Sequence, residues 1–177
     1  MPARDKSRAA ASARKPAAAR KVKGKAKAKT SASAAPAARS ARSGAMVLVV
    51  DDYEDAREMY AEYLAYSGFR VAEARTGLEA LEKAFELLPD LILMDLSLPV
   101  MDGWEATRRL KADARTRSIP VVALTGHALA GHSEVAKKAG CDAFVTKPCL
   151  PDALVMEVKK TLERSRQETT GKSKARG

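Results

Sequence analysis

Five polar residues stand where short apolar runs stop. Asp51-Asp52 ends MVLVV (46–50), and Asp95 ends LILM (91–94). Thr125 ends IPVVAL (119–124), and Lys147-Pro148 follows AFV (143–145) through Thr146. A carboxylate at the end of a buried strand is costly unless a hydrogen bond, a metal or a reaction compensates it. Three carboxylates brought together repel one another and call for a hard cation, and all-oxygen ligation with room for water suits Mg²⁺. Lys147 cannot neutralise three negative charges, but it can hold an anion such as phosphate as a point charge. A carboxylate can itself accept a phosphoryl group as an aspartyl phosphate. Metal and lysine would then stabilise charge on the transferring oxygens.

These residues act together only if the fold brings the run ends to one place. Between the runs the apolar period changes to that of a helix. Ala56, Met59, Tyr60, Tyr63 and Leu64 form one stripe, stopped by Ser67-Gly68. FRVAEA (69–74) reads as a weaker strand near a sheet edge. Leu78, Leu81, Phe85 and Leu88 form a second stripe, closed by Pro89. Trp104, Thr107 and Leu110 suggest a short third helix, and a weak fourth runs through about 128–139 to Gly140. Leu154, Val155, Val158 and Leu162 mark a fifth, opened by Pro151. Strand and helix alternate five times. This predicts an α/β domain with a parallel sheet and helices on both faces, its strands near-continuous apolar runs. In such sheets function collects at the carboxyl ends of the strands, where all five polar residues would meet.

The blocks VLVVDD, LILMDLSLPVMDG, VVALTG and AFVTKP, in this order and spacing, resemble the receiver domain of bacterial two-component response regulators. The resemblance runs from about Met46 to Arg164 and rests on several blocks rather than one short motif. It implies a doubly wound, flavodoxin-like sheet of five strands in order 2-1-3-4-5 with five helices. Asp95 would accept phosphoryl from a histidine kinase or a histidine phosphotransfer protein. Asp52 would ligate Mg²⁺ directly and Asp51 mainly through water, with the backbone carbonyl of Ser97 as a further ligand. Lys147 would contact the phosphoryl group, with Pro148 after it through a cis peptide bond. Thr125 would swing its hydroxyl onto the phosphate, and Phe144 would follow inward, reshaping the face of the fourth helix, fifth strand and fifth helix. Ser97 and His127 occupy the two positions that tune phosphate lifetime in such proteins.

Simpler roles exist for each residue alone. Asp51-Asp52 could cap a helix, Lys147 could be a solvated surface lysine, Thr125 could back-bond and Phe144 could be plain core. His127 and His132, five apart, lack the spacing of a helical metal pair and read as surface residues. A Mg²⁺-dependent phosphohydrolase with an aspartyl nucleophile would carry a second Asp two positions on, where this chain has Ser97. The expectation is therefore a phosphoacceptor that catalyses only its own phosphotransfer and dephosphorylation. The alternative is a phosphorylation-independent, receiver-like binding module.

Charge divides the 177 residues into three segments. Residues 1–45 carry thirteen Lys or Arg against one acid, a net +12. Residues 46–164 hold fifteen basic and twenty acidic side chains, a net −5, and residues 165–177 carry +3. The leader has one Val and no Leu, Ile or aromatic residue, too little apolar surface to offset ordering, so disorder is expected there and in the tail from Ser165. Three readings of the leader stand. As a polycation it would bind DNA without sequence preference and in a salt-sensitive way, which implies association with the nucleoid. As an Arg- and Ser-containing leader it could be a transit peptide, though it lacks bulky apolar residues. Or translation starts at Met46 rather than Met1. No apolar run approaches the roughly 18 residues of a membrane span, and two Cys make no disulfide scaffold, so a cytoplasmic location is expected. Nothing after Arg164 reads as an output domain, which implies signalling through a downstream protein partner, as a monomer or a phosphorylation-linked dimer.

Overall fold

A computed structural model describes residues 44–126 and 138–174 of the chain. The basic segment 1–43, His127, His132 and nearly all of the weak helix expected at 128–139 lie outside the described residues. Within them the strands are β1 (Met46–Val50), β2 (Arg70–Ala74), β3 (Leu91–Asp95), β4 (Val121–Thr125) and β5 (Ala143–Thr146). The helices are α1 (Glu54–Tyr66), α2 (Gly77–Leu87), α3 (Gly103–Ala112) and α4 (Pro151–Lys174), the last being the fifth expected from the sequence. All strands are parallel, in the order β2-β1-β3-β4-β5. FRVAEA is thus the edge strand that its weaker pattern implies. No helix among the described residues is long and apolar enough to cross a membrane.

Side chains alternate across the pleat and fill two cores. Leu48, Val50, Ile92, Met94, Val121 and Ala123 face α2 and α3, while Val47, Val49, Leu91, Leu93, Val122 and Leu124 face α1 and α4. Burial on both faces makes the central strands apolar without alternation.

Two helices are rotated from the expected stripes. In α1 the buried positions are Arg57, Tyr60, Ala61 and Leu64, whereas Met59 and Tyr63 lie largely in solvent. Arg57 takes a place on the inner face because ionic partners meet it there. In α2 the buried positions are Gly77, Ala80, Leu81 and Ala84, and Leu78 is exposed. Small residues on the inner face let the helix lie close to the sheet. Leu88 is the C-cap, at φ 45°, not part of the stripe. Thr76 caps α2 by accepting from the Glu79 N–H at 3.2 Å, and Asp102 caps α3 by accepting from the Glu105 N–H at 2.7 Å.

The last helix runs ten residues past Arg164, so residues 165–174, expected as the start of a tail, are helical. Leu162 ends the apolar stripe, but extending an existing helix costs far less than nucleating one. The stripe marks where packing stops, not where the helix stops.

Candidate functional site

Parallel pairing places Val50 beside Met94, and Asp95 beside Leu124. The ends of β1, β3, β4 and β5 therefore share one edge. Asp51, Asp52 and Asp95 converge there, each offering a carboxylate oxygen within 4.8 Å of the others. Asp51 and Asp95 are buried, and Asp52 faces solvent.

Each carboxylate is held by its own turn. Asp51 Oδ1 accepts from the Tyr53 N–H at 3.0 Å, and Asp95 Oδ1 from the Ser97 N–H at 3.0 Å. Both residues thus hydrogen-bond the backbone two positions on, which fixes their rotamers as the chain leaves the sheet. Lys147, just past β5, donates to Asp51 Oδ2 at 2.6 Å and to Asp95 Oδ2 at 2.7 Å. The Lys147–Pro148 peptide bond is cis. Burial of the Lys147 amine opposes its charge, but hydrogen bonds to Asp51 and Asp95 and their negative charge outweigh this and raise its pKa. The lysine is therefore a permanent cation at the site.

Three carboxylates against one ammonium leave a local charge of −2, and the donors facing the cluster are hard oxygens. This set fits a small divalent cation such as Mg²⁺. Of the other residues singled out in the sequence, Thr125 ends β4, its carbonyl accepting from the Lys147 N–H at 2.7 Å. Ser97 lies exposed in the loop after β3. Phe144 is half-buried on β5 and packs against the core on the α2–α3 side. The fold thus brings Asp51, Asp52, Asp95 and Lys147 together and sets Thr125 at a neighbouring strand end, whereas Phe144 packs away from the cluster.

Two supports escaped the sequence reading. Arg57, 2% exposed, donates to the Asp51 carbonyl at 3.0 Å and to Glu73 Oε2 at 3.0 Å. It ties α1 to β2 and holds the backbone of the acidic turn. Its signal was a basic residue one helical turn before Tyr60, which a stripe of apolar types passes over. Gly103 opens α3 where a Cβ would stand 2.0 Å from the Asp95 carbonyl oxygen. Only glycine lets the helix start so close to the phosphoacceptor candidate, a close approach that sequence spacing does not reveal.

Known proteins carry the same architecture. The model of the response regulator receiver domain matches residues 47–159. The polar-differentiation response regulator DivK of Brucella ovis is 39% identical over 116 residues, covering 66% of this chain and 94% of that protein. The chemotaxis protein CheY4 of Vibrio cholerae superposes with a TM-score of 0.65 at 30% identity, covering 67% of this chain and 98% of that one. The receiver domain of a sensor histidine kinase from Pseudomonas aeruginosa, solved with a magnesium ion coordinated in its active-site cleft, gives 0.64 at 32% identity, covering 68% and 98%. The family match takes in all of the sheet but its first residue and every strand end that contributes to the acidic cluster, and on that ground the chain belongs to the response regulator receiver domain family.

Proposed function

We propose that this chain is a phosphoacceptor in a two-component phosphorelay and that Asp95 receives the phosphoryl group. The observation that carries this is the placement of Asp95: a buried carboxylate at a strand end, 2.7 Å from a protonated lysine and among two further carboxylates. A carboxylate oxygen of Asp95 attacks phosphorus as the phosphorus–nitrogen bond of a phosphohistidine donor breaks. A mixed anhydride forms, and the imidazole of the donor leaves with the electron pair. The partner is accordingly a histidine kinase or a histidine phosphotransfer protein.

Lys147 keeps its charge through the reaction and offers ammonium protons to the oxygens that gain charge. Mg²⁺ would be held by Asp51, Asp52, Asp95 and the Ser97 carbonyl, and it would supply positive charge opposite the phosphoryl oxygens. The Ser97 N–H keeps Asp95 oriented, and Arg57 keeps the Asp51 turn in place. Thr125 on β4 and Phe144 on the neighbouring β5 connect the site to the sheet edge that would change on phosphorylation.

Incubation with acetyl phosphate and Mg²⁺, read by intact mass, tests this directly. One phosphoryl group adds about 80 Da to a carboxylate. The gain is expected with Mg²⁺, not with chelator, and not in Asp95→Asn. A wild-type protein that gains no mass would favour a phosphorylation-independent binding module instead. Phosphate persisting in Asp95→Asn would assign the acceptor elsewhere.

A further inference from the structure

A cavity lies at the opposite edge of the sheet, remote from the acidic cluster. There the end of α3 and the amino ends of β4 and β5 meet the turns of α4 from Thr161 to Glu168. Its volume is about 340 Å³, at the small end of ligand pockets, which run roughly 300–1,000 Å³. We propose that it binds a small phosphomonoester.

Several charges around the cavity are already committed to partners. Lys111, Arg117 and Arg164 line the cavity, against Asp142 and Glu168. Asp142 Oδ2 is engaged twice, accepting from Lys111 Nζ at 2.7 Å and from the Val121 N–H at 2.8 Å. Lys111 is spent as well: its Nζ also donates to the Ile119 carbonyl at 2.9 Å, and its stem packs over Gly140, where a Cβ would lie 2.9 Å from Lys111 Cγ. Arg164 uses one nitrogen, Nη2, to donate to the Asp142 carbonyl at 2.6 Å, which anchors the guanidinium and leaves its other donors over. The guanidinium of Arg117 has no hydrogen bond or ion pair among the described residues. Two guanidinium groups with donors to spare, flanked by the Ser118 hydroxyl, make a receptor for a doubly charged oxyanion. The cavity is larger than phosphate needs, and Pro120 with the aliphatic stem of Lys111 offers surface for an organic group. A metal ion is disfavoured, because the one carboxylate left uncommitted, Glu168, is exposed and faces three cations.

The same cavity gives the unexpected length of α4 a role. Leu162 is the last buried apolar residue of that helix, so the turn from Glu163 to Glu168 has no core contact to hold it. That turn is one wall of the cavity. An anion bridging Arg117 and Arg164 would tie it to the connection before β4.

A ¹⁵N NMR titration of the full chain in Mg²⁺-free buffer at constant ionic strength tests the proposal. Adenosine 5′-monophosphate is the probe, since it has no transferable phosphoryl group, with inorganic phosphate and adenosine as comparison arms. Saturable shifts are expected at the amides of Ser118, Asp142 and Ser165, tighter for the nucleotide than for inorganic phosphate and absent with adenosine. Arg117→Gln, whose guanidinium supports nothing else in the fold, should weaken binding by about tenfold or more, and Glu168→Gln should tighten it. Shifts confined to residues 1–43, whose net +12 attracts any phosphate, would overturn the proposal. So would an Arg117→Gln variant that titrates like wild type at those three amides. Inorganic phosphate binding as tightly as the nucleotide would overturn the phosphomonoester assignment.

Discussion

Removing the charge of Asp95 should have opposite effects on stability depending on whether Lys147 is present. Lys147 Nζ lies 2.6 and 2.7 Å from oxygens of Asp51 and Asp95. At an effective dielectric of 20, each contact represents about 6 kcal/mol of attraction. The two buried carboxylates, within 4.8 Å of each other, repel by roughly 3.5 kcal/mol on the same scale. Asp52 faces water, where its repulsion from Asp95 falls to about 1 kcal/mol. In the wild type, Asp95→Asn therefore loses one attraction and sheds two repulsions, a net cost of about 1–2 kcal/mol. Lys147→Gln leaves two buried carboxylates facing each other, a loss of about 3–5 kcal/mol by analogy with other broken buried pairs. In the Lys147→Gln background only repulsion remains to be removed, so Asp95→Asn should now stabilise, by up to a few kcal/mol. Urea denaturation in chelator, followed through Trp104, the single tryptophan, and by circular dichroism, measures all four corners of this cycle. Mg²⁺ should then restore more stability to Lys147→Gln than to wild type, because the ion answers the same charges. If Asp95→Asn destabilises both backgrounds alike, the electrostatic account of the site is wrong and Asp95 matters there chiefly through packing.

Gly103→Ala should cost about 2–3 kcal/mol, because its Cβ would meet the Asp95 carbonyl at 2.0 Å and backbone must move. A fall in the urea midpoint, with slower labelling by acetyl phosphate, checks it. Val100, fully exposed at φ 67°, holds a β-branched residue in the left-handed region, so Val100→Gly should stabilise by about 1 kcal/mol, read from the same midpoint. Burial pushes the Cys141 thiol up to about 11 from 9.0, with smaller opposing effects of Thr107 and Lys111. The unfolded chain then ionises first, and the contribution of Cys141 is intact below pH 9 and lost as pH rises toward 11. By pH 10 the loss is about 1.4 kcal/mol, and Cys141→Ala should lose that much less than wild type between pH 8 and pH 10.

The acidic cluster was legible in the sequence for a specific reason. Its members sit where strands end, and in a parallel sheet strand ends share an edge whatever the details of packing. Asp51, Asp52, Asp95, Thr125 and Lys147 could therefore be assembled from apolar runs alone, before any helix was placed correctly. The helices were less legible because their inner faces are not made of the largest apolar residues. In α2 the sheet is met by Ala80, Leu81 and Ala84, while Leu78 points to solvent. In α1 a stripe counted from apolar types included Met59 and Tyr63 and passed over Arg57, the one charged side chain the helix buries.

Arg57 and Gly103 share a cause for having been missed. Neither takes part in the chemistry, and each acts on the backbone of a residue that would. Arg57 grips the carbonyl of Asp51, and Gly103 clears space beside the carbonyl of Asp95. Residue type announces a ligand or a nucleophile, because that chemistry needs a carboxylate or an amine. It does not announce a support, because a carbonyl can be held or cleared from almost any position the fold brings near. The cavity at the far edge follows the same logic. Arg117 and Arg164 lie 47 residues apart in regions that read as a loop and a helix end, and their meeting depends on α4 running past its last apolar contact. Sites built from strand ends can be read from pattern, whereas sites built from a helix that outlasts its own stripe need the fold.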